Sequence, residues 1–306
     1  MTVDRRRIVT GLASTSLIGL PVGSLAQITP AAGTQLDDAA RRPRAIARFV
    51  PERYDDLIWE NDRVAHRIYG PALQAAEPPS GSGIDVWVKS VRWPFMDRQI
   101  ASRAYHVDRG EGLDYYSVGQ SRGAGGLGVW HDNKLWTSRN FARHEITQSG
   151  GDSARFAVEY APWPVDVVRR VWERREVSLA LGSSFTQLTS TLWSDTTDPL
   201  VVGLGIARRK IGSDAGSLIQ EADAGLMAFQ EPADQEHGSL GIALRTDPRR
   251  VLSFAQDADN HLMLISVTPG QPFTFAMGSF WDRGLDFHSQ AAWLDHVRQE
   301  PAIAPW

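Results

Sequence analysis

Apolar and polar residues alternate along most of the chain after Trp59, with the period of two that is typical of half-buried β-strands. Two early segments show this alternation, "WENDRVAHRIYG" (59–70) and "IDVWVKSVR" (84–92), and each predicts one strand with two different faces. Seven later segments are also predicted to form strands: 154–163, 167–181, 184–193, 200–209, 238–245, 261–270 and 272–281.

Two local patterns predict a hairpin and a helix. "LGVWHDNKLW" (127–136) has apolar ends around the polar turn His131–Lys134, which predicts a β-hairpin. "SQAAWLDHVRQE" (289–300) is the one late stretch with helical spacing, and Ser289 is its candidate N-cap.

Many long strands with almost no helix predict an all-β fold, in which large antiparallel sheets pack face to face. The chain shows no short internal repeat, which argues against a propeller or a solenoid. The Pro- and Gly-rich stretch 75–83 is interpreted as a loop, because strand patterns resume directly after it. We therefore expect one β-sandwich domain over residues 46–306.

The first 26 residues have the pattern of a bacterial export signal. The basic run Arg5–Arg7 precedes a short apolar stretch, and Ser24–Ala26 gives a small-x-small cleavage pattern. The same basic run fits a twin-arginine signal. The apolar stretch 8–20 is too short and too rich in Gly and Ser to cross about 30 Å of hydrocarbon, which argues against a membrane anchor. We expect cleavage after Ala26, a flexible segment over 27–45 and a periplasmic location.

The charge and the absence of cysteine exclude several classes of protein. The formal net charge is -4, and removal of three Arg and one Asp with residues 1–26 changes it to -6. Such a chain is not suited to bind nucleic acid or anionic lipid. Arginine far outnumbers lysine, which fits either genome composition or the two-pronged recognition of carboxylates. Without Cys there is no disulfide framework and no thiolate nucleophile, so stability must come from the apolar core.

The segment "YHVDRGEGLDYYSVGQSRGAGG" (105–126) concentrates titratable side chains without a continuous apolar run. It contains one His, three carboxylates, two Arg, three Tyr and six Gly. A solvated loop is the simplest interpretation, but such loops seldom need Tyr interleaved with charge. Tyr faces with Arg and carboxylate edges suit contacts with a sugar, and Gly permits the close approach of a ligand. We therefore interpret this segment as a ligand site at the rim of a sheet groove.

Within this segment, His106, Asp108, Glu111 and Asp114 favour acid–base chemistry over metal binding. Their spacing matches no defined zinc or calcium motif, so we expect no metal and no cofactor. Imidazole titrates near neutral pH, and nearby carboxylates tune it. We predict that His106 is the main proton-transfer residue; the alternative is a His that only holds the loop in place.

Two other regions stand out against the strand pattern, the charged stretch 51–70 and the pair 259–262 with 279–284. His66 lies on a strand face and fits a core role as well as a functional one. His261 lies at a strand start, where sites built on sheets often place side chains. The Gly-rich stretch 119–128 is not followed by a helix, so it is not interpreted as a nucleotide cradle, and the chain has no phosphate-binding loop and no zinc-protease motif.

Four segments, in this order, resemble the bacterial domain-of-unknown-function family 4861: "ERYDDLIWENDRVAHRIYGPAL" (52–73), "SGIDVWVKSVRWP" (82–94), the segment 105–126 and "LWTSRNF" (135–141). The resemblance extends from about Phe49 to the C-terminus. It implies a galactose-mutarotase-like supersandwich that presents a concave sheet to a carbohydrate. It also implies an exported protein encoded among genes for the use of pectin or other uronate-containing glycans. Fold alone does not determine the reaction.

On these grounds we interpret the protein as an enzyme that acts on a uronate-containing sugar or oligosaccharide by lyase, hydrolase, or epimerase or mutarotase chemistry. The predicted catalytic residues are His106, Tyr105, Glu111 and Asp114. The predicted clamp for the sugar carboxylate consists of Arg53, Lys89 and Arg122. The other predicted substrate-binding residues are Asp56, Trp59, Glu60, Asn61, Arg63, Asp108, Tyr115, His261 and Trp281.

The main alternative is a non-catalytic periplasmic glycan-binding protein. Its stacking platform would consist of Trp59, Trp87, Trp93, Trp130 and Trp281. A third interpretation is a structural envelope protein whose charged residues form internal salt bridges. Convergence of the predicted catalytic residues with a clamp arginine in one pocket would favour the enzyme. The sequence leaves the oligomeric state open.

Overall fold

The computed structural model describes residues 38–77, 80–209 and 211–300. The chain divides into two compact units, Met1–Leu36 and Asp37–Trp306, and every described residue belongs to the second. The predicted signal peptide, residues 1–26, lies outside the described residues, as does most of the segment 27–45. The end of that segment is ordered, because Ala45 is fully buried and forms a bridge with Gly151.

The described residues form eighteen strands and three helices, which we number in chain order. The strands are β1 Ile46–Val50, β2 Asp56–Glu60, β3 Ala65–Ile68, β4 Ile84–Lys89, β5 Gly112–Leu113, β6 Ala124–His131, β7 Lys134–Trp136, β8 Arg143–Gln148, β9 Ser153–Pro164, β10 Arg170–Ala180, β11 Phe185–Ser194, β12 Leu200–Ala207, β13 Ser217–Glu221, β14 Leu226–Gln230, β15 Leu240–Thr246, β16 Val251–Gln256, β17 Asn260–Val267 and β18 Pro272–Trp281. The helices are α1 Leu73–Ala76, α2 Met96–Ser102 and α3 Gln290–Gln299.

The strands form three sheets. The first sheet has the order β1-β2-β3-β4-β5, the large sheet has the order β13-β14-β15-β18-β11-β10-β9-β8, and the third sheet has the order β16-β17-β12-β6-β7. Neighbouring strands in all three sheets run antiparallel, as in β10, whose Val171–Ser178 pair residue by residue with Ser194–Gln187 of β11. The prediction of an all-β fold built from large antiparallel sheets is confirmed.

One apolar core contains side chains from all three sheets. Trp59 of the first sheet contacts Phe156 of the large sheet, with ring centroids 5.2 Å apart, and its indole N–H donates to Thr186 at 3.0 Å. Leu204 of the third sheet belongs to the same cluster. The large sheet therefore forms one layer, and the two five-stranded sheets cover its inner face.

Two helices cover the outer faces of this sandwich. Helix α3 begins at the predicted N-cap Ser289, whose side chain accepts the N–H of Ala292, and its Trp293 and Val297 pack on the large sheet around Phe185. Helix α2 packs on the outer face of the first sheet, beside Trp87. Among the described residues no helix has the length and apolar character needed to span a membrane.

A single bridge between Ile84 and Gly123 joins the first sheet to the third. Gly123 has φ +59°, and a Cβ atom at this position would lie 2.0 Å from the carbonyl oxygen of Ile84. Gly112 is similar, with φ +123° and a Cβ position 2.0 Å from the carbonyl oxygen of Val88. These glycines of segment 105–126 therefore allow close approach of backbone to the first sheet, whereas the sequence suggested close approach of a ligand.

The structure confirms the hairpin and corrects three other local expectations. Strands β6 and β7 meet at Asp132 and Asn133, which have φ +51° and +56°, values typical of a two-residue hairpin turn. The stretch 59–70 is not one strand, because β2 and β3 meet at a turn where Asn61 accepts the N–H groups of residues 63 and 64. Helices α1 and α2 were missed, and strands β1, β5, β8, β13, β14 and β16 were not predicted.

Candidate functional site

The segment 105–126 links α2 to β6 and lies over the outer face of the first sheet. The ring of Tyr105 stacks on Trp87 of β4, with centroids 5.2 Å apart and an angle of 22° between the planes. The N–H of Asp114 donates to the carbonyl oxygen of Tyr105 at 2.8 Å, which closes the intervening loop. The segment is therefore a packed cover rather than a solvated loop.

Beneath this cover lies a buried group of charges that we call the arginine cluster: Arg67, Asp56, Asp85 and Asp114. Arg67 Nη2 is 2.6 Å from Asp85 Oδ2 and 2.9 Å from Asp114 Oδ2, and Arg67 Nε is 3.8 Å from Asp56 Oδ2. The four side chains are at most 4% exposed. Strands β2, β3 and β4 place three of them on one sheet face, and the cover brings Asp114 to the fourth position.

Burial raises the pKa of each carboxyl in the arginine cluster, although Arg67 acts in the opposite direction. The pKa of Asp56 rises to about 6, and that of Asp85 rises further because the negative charge of Asp114 lies beside it. Trp87 and Tyr69 each place a ring centroid 5.2 Å from the Arg67 guanidinium carbon. In this enclosed setting the main effect of the cluster is to fasten the cover to the sheet.

The predicted catalytic residues lie around this cover without converging in one pocket. Tyr105 accepts a hydrogen bond from Arg53 Nε at 3.0 Å. His106 is 66% exposed, and its Nδ1 lies 2.7 Å from the carbonyl oxygen of Asp114. Glu111 lies apart from them, where it pairs with Arg98 at 2.7 Å. Of the predicted clamp, Arg53 alone lies beside this group.

Lys89 is not available to a substrate carboxylate. Its ammonium group is 1% exposed and lies 3.0 Å from Glu60 Oε2, which also accepts the N–H of Phe95. Burial lowers the pKa of Lys89, and Glu60 offsets part of that effect. The pair holds the start of α2 against the first sheet, so the predicted roles of Lys89 and Glu60 in binding sugar are corrected to a structural role.

Arg122 is likewise enclosed, at 2% exposure, and donates to Ser82 at 2.9 Å. Burial lowers its pKa to about 10. Asn61 is fully buried and bonds the backbone of the turn between β10 and β11. The three predicted clamp cations thus occupy separate places, and neither Lys89 nor Arg122 can reach a sugar without a rearrangement of the core.

The structure does not place the five tryptophans of the predicted platform on one surface. Trp59 and Trp87 are 1% exposed and Trp281 is 6% exposed, so none of these three presents a face to solvent. Trp93 and Trp130 are partly exposed but lie apart, because Trp93 donates to Glu111 at 2.7 Å and packs beside α2, whereas Trp130 belongs to β6 of another sheet. The sequence pattern did not distinguish the tryptophans that point into the core from those that stay partly exposed.

Other predicted residues have identifiable structural partners. Asp108 accepts the N–H groups of Gly110 and Gly112 and so shapes the loop of the cover. Arg63 lies 3.5 Å from Asp286 at a small cavity of about 30 Å³ that also contacts Lys89 and Trp281. His66 is fully buried, and burial lowers its pKa to about 3, so it is a neutral core histidine.

A second polar group lies where Tyr115 follows β5, and we call it the rim cluster: Tyr115, Arg209, Glu231 and His237. Arg209 Nη1 donates to Glu231 at 3.0 Å, and its guanidinium carbon lies 5.7 Å from the centroid of the Tyr115 ring. Tyr115 stacks on His237, with centroids 5.2 Å apart and planes at 12°. Arg209 and His237 are about a quarter exposed, so the cluster opens to solvent.

Strand ends position the rim cluster. Glu231 directly follows β14, Arg209 follows β12, and Asp282 directly follows β18. The N–H of Glu231 donates to the carbonyl oxygen of Leu240, and the N–H of Asp282 donates to that of Ser239, so the two acids flank the start of β15. Their backbones are therefore two strand spacings apart, about 9.5 Å.

Burial raises the pKa of Glu231 to about 7, although Arg209 acts in the opposite direction. Burial also raises the pKa of Tyr115, and the charge of Glu231 raises it further. The Tyr115 hydroxyl and Asp282 Oδ1 are buried without a hydrogen-bond partner among the described residues. The cluster thus combines a carboxyl that titrates near neutral pH, a phenol that keeps its proton, and a cation.

His261 and Trp281 lie beside the rim cluster, but among the described residues neither side chain has a hydrogen bond to a side chain of that cluster. His261 packs on Phe229 with centroids 4.8 Å apart, and burial lowers its pKa to about 4. The Trp281 indole donates to the carbonyl oxygen of His237 at 2.6 Å. Within the described part of the chain, no three His, Asp or Glu side chains are grouped to hold a metal ion.

The sequence analysis missed Arg209, Glu231 and His237. Glu231 and His237 lie in one loop between β14 and β15, whereas Arg209 follows β12, so the group has no motif spacing along the chain. A signal did exist for Tyr115, which lies in the segment singled out for its chemistry.

The fold and the rim cluster define a class of protein: an antiparallel β-sandwich with a half-open acid–base group at its strand ends. The chain belongs to the family described as Domain of unknown function (DUF4861), which matches residues 25–303. The match begins earlier than the Phe49 boundary expected from the sequence.

One curated relative is similar to this chain in sequence, and two solved structures are similar to it at low sequence identity. "Uncharacterized protein P7" of Formosa agariphila is 32% identical over 269 residues, 83% of this chain and 66% of that protein, just under two thirds of its length. Two solved structures are 9% identical and each cover 76% of this chain with a TM-score of 0.35: the galactosidase domain of alpha-galactosidase-sucrose kinase AgaSK and the GH36 alpha-galactosidase AgaB from Geobacillus stearothermophilus. They are covered over 41% and 40% of their own chains, and their activities are not transferred to this chain.

Proposed function

We propose that the protein is a carbohydrate-active enzyme whose acid–base chemistry takes place at the rim cluster. The observation that carries this proposal is the buried carboxyl of Glu231, with a pKa of about 7, beside the unpartnered hydroxyl of Tyr115 in a half-open site. A group that titrates near the working pH is suited both to take up and to release a proton.

The substrate that we propose is a sugar or oligosaccharide carrying a uronate. The Arg209 guanidinium has five N–H donors, of which the bond to Glu231 uses one, and it is 25% exposed. A sugar carboxylate can therefore bind Arg209 in place of the buried clamp that the sequence suggested. The ring of Tyr115 offers an aromatic face beside that carboxylate.

The reaction that fits these groups is elimination next to the carboxylate. Glu231 takes the proton from the carbon that bears the carboxylate, and Arg209 stabilises the charge that develops there. Tyr115 donates its proton to the departing glycosidic oxygen, the C–O bond breaks, and a C=C bond forms in the sugar. Proton exchange with water then restores Glu231 and Tyr115.

Hydrolysis is a second candidate, favoured by the carboxyl of Asp282. The backbones of Glu231 and Asp282 are about 9.5 Å apart at the strand ends, which leaves room for a water molecule between two facing carboxyl groups, as hydrolases that invert configuration require. Glu231 would then be the general acid and Asp282 the base that activates water.

The test is incubation of the purified protein with a panel of uronate oligosaccharides, read by mass and by absorbance of new C=C bonds. Elimination gives a product of unchanged total mass with new absorbance, whereas hydrolysis adds the mass of water without it. Binding without either change would support the glycan-binding alternative. Products that form equally fast with Glu231→Gln would remove the rim cluster from the reaction.

We also propose that the protein is exported to the periplasm after removal of residues 1–26. The basic run Arg5–Arg7 and the small-x-small pattern before Gln27 support this proposal. N-terminal sequencing of protein from periplasmic extracts should begin at Gln27, and intact protein found only in the cytoplasm would contradict it.

A further inference from the structure

Half of the outer face of the large sheet is covered and half is not. Helix α3 packs over the half that contains Phe185, Ala243 and Phe280. On the other half, β9, β10 and β11 form a groove of about 450 Å³. The strands that form this groove do not contribute to the rim cluster, and the proposed reaction does not use the groove.

Two tryptophans form the floor of this groove. Trp172 of β10 and Trp193 of β11 are direct cross-strand partners, so their side chains lie on the same face. Their rings are nearly parallel, with an angle of 12° and centroids 6.5 Å apart, and both are partly exposed. A pair of large aromatic rings left open on a sheet face is unusual in a protein that only needs to fold.

The backbone is irregular at this point. The pairing of β9 with β10 shifts register between Val171 and Glu173, which leaves Trp172 without a partner on β9. The extra residue is on β9, where Ala161 and Pro162 together oppose Trp172, and Pro162, which cannot donate a hydrogen bond, lines the groove at this bulge. Bulges bend a strand locally and often lie next to binding sites, because they redirect a side chain.

The rim of the groove is polar, and three carboxylates, those of Glu145, Glu159 and Glu176, pair with its two arginines. Arg174 lies 3.3 Å from Glu159 and 3.6 Å from Glu145, and Arg143 lies 3.7 Å from Glu159. These side chains are at least a third exposed, so their ion pairs contribute little and can exchange partners with ligand hydroxyls.

We propose that the Trp172–Trp193 groove binds a chain of neutral sugar residues, separately from the rim cluster. The apolar face of a sugar ring stacks on the indoles, and its hydroxyls bond the paired Arg and Glu side chains at the rim. The carboxylates at the rim outnumber the arginines, which favours neutral sugars over uronates at this place. The ligand class rests on the proposed function, whereas the location rests on the groove itself.

The test is affinity electrophoresis of the full-length protein through gels that contain a neutral galactan, arabinan or xylan, with polygalacturonate as the anionic comparison. At least one neutral polysaccharide should retard the protein. Trp172→Ala and Trp193→Ala should each weaken that retardation about tenfold, and the Trp→Phe variants should retain part of it. Circular dichroism of each variant confirms that it is folded.

The matched control is Val168→Ser, which changes an exposed side chain in the loop between the same two strands β9 and β10 but outside the groove. It should migrate like the wild type. Glu231→Gln should also be retarded normally, so a failed rim reaction and a failed groove are distinguished. The proposal is overturned if no neutral polysaccharide retards the protein, or if both Trp→Ala variants bind as the wild type does. It is also overturned if sedimentation shows that Trp193→Ala dissolves a dimer, which would assign the groove to a second copy.

Discussion

Arg67 donates to Asp114 at 2.9 Å, and this bond connects the first sheet to the segment that covers it. Because Arg67 also bonds Asp85, loss of Asp114 leaves the guanidinium paired, whereas loss of Arg67 leaves three buried carboxyls without the cation that pairs with them. Arg67→Met should therefore lower the free energy of unfolding by about 3–5 kcal/mol. Asp114→Asn should lower it by roughly 1–3 kcal/mol.

Urea denaturation of both variants at neutral pH measures this difference. Arg98→Met is a suitable control, since its pair with Glu111 is partly exposed, and it should cost no more than about 1 kcal/mol. An Arg67→Met protein as stable as the control would show that the cluster does not hold the cover.

The roles of Glu231 and His106 can be separated by turnover. If Glu231 transfers the proton, Glu231→Gln should lower turnover about 10²–10⁴-fold. His106→Gln should change turnover much less, because its imidazole is 66% exposed and its Nδ1 contacts a backbone carbonyl. Steady-state rates on any substrate that the wild type converts provide the measurement. The opposite order of the two effects would restore His106 as the main proton-transfer residue.

Arg209 provides the test of uronate recognition. Arg209→Met should weaken binding of a uronate oligosaccharide by about 1.5–3 kcal/mol, the range for a hydrogen bond to a charged group. Titration calorimetry with the same oligosaccharide after carboxyl reduction provides the comparison. The reduced ligand should bind the wild type and the variant alike, and equal affinity of the wild type for both ligands would contradict the uronate proposal.

Glu231 also predicts a pH dependence of stability. Its pKa is about 7 in the folded protein and 4.5 as a free side chain, so its contribution to stability is full below pH 4.5. That contribution is lost as the pH rises through about 7, and by linkage the change amounts to about 3 kcal/mol. The stability of the wild type relative to Glu231→Gln should therefore fall between pH 4.5 and 7, as measured by urea denaturation. A difference that rises or stays constant over this interval would show that the carboxyl is not protonated by burial.

Gly123 and Gly119 offer a matched pair for the bridge between sheets. Both have positive φ, +59° and +51°, but a Cβ at Gly119 meets no atom within 4 Å, whereas one at Gly123 lies 2.0 Å from a carbonyl oxygen of Ile84. Gly119→Ala should cost roughly 1–2 kcal/mol for the backbone angle alone. Gly123→Ala should cost at least about twice as much, by thermal or urea unfolding, and equal costs would contradict the close approach.

The sequence predicted strands well where one face is buried and the turn residues are specific. Strands β9 and β10 alternate clearly, and the hairpin at Asp132 and Asn133 follows from residues that tolerate left-handed angles. The sequence missed β8, β13 and β16, whose side chains are mostly exposed and therefore impose no apolar alternation. The strand β3 is buried on both sides, so its alternation of polar and apolar residues did not show that Arg67 is as enclosed as Ile68.

The sequence predicted only part of the candidate site. Segment 105–126 was identified from its composition, and it does connect the arginine cluster at Asp114 with the rim cluster at Tyr115. The sequence could not show that Lys89 finds Glu60, or that Glu231 and Arg209 meet, because these pairs join residues 29 and 22 positions apart through sheet topology. Buried ion pairs and half-open ones have the same residue types, and burial alone distinguishes them.

The single bridge between Ile84 and Gly123 also has a consequence for the order of folding. Strands β1 to β5 pair strictly with their neighbours in the chain, whereas β18 must join β11 and β15 after long intervals. Local pairing closes short loops and is fast, and pairing between distant segments is slow. We therefore expect the first sheet to form early and as its own cooperative unit, and pulsed hydrogen exchange should show its amides protected before those of β18.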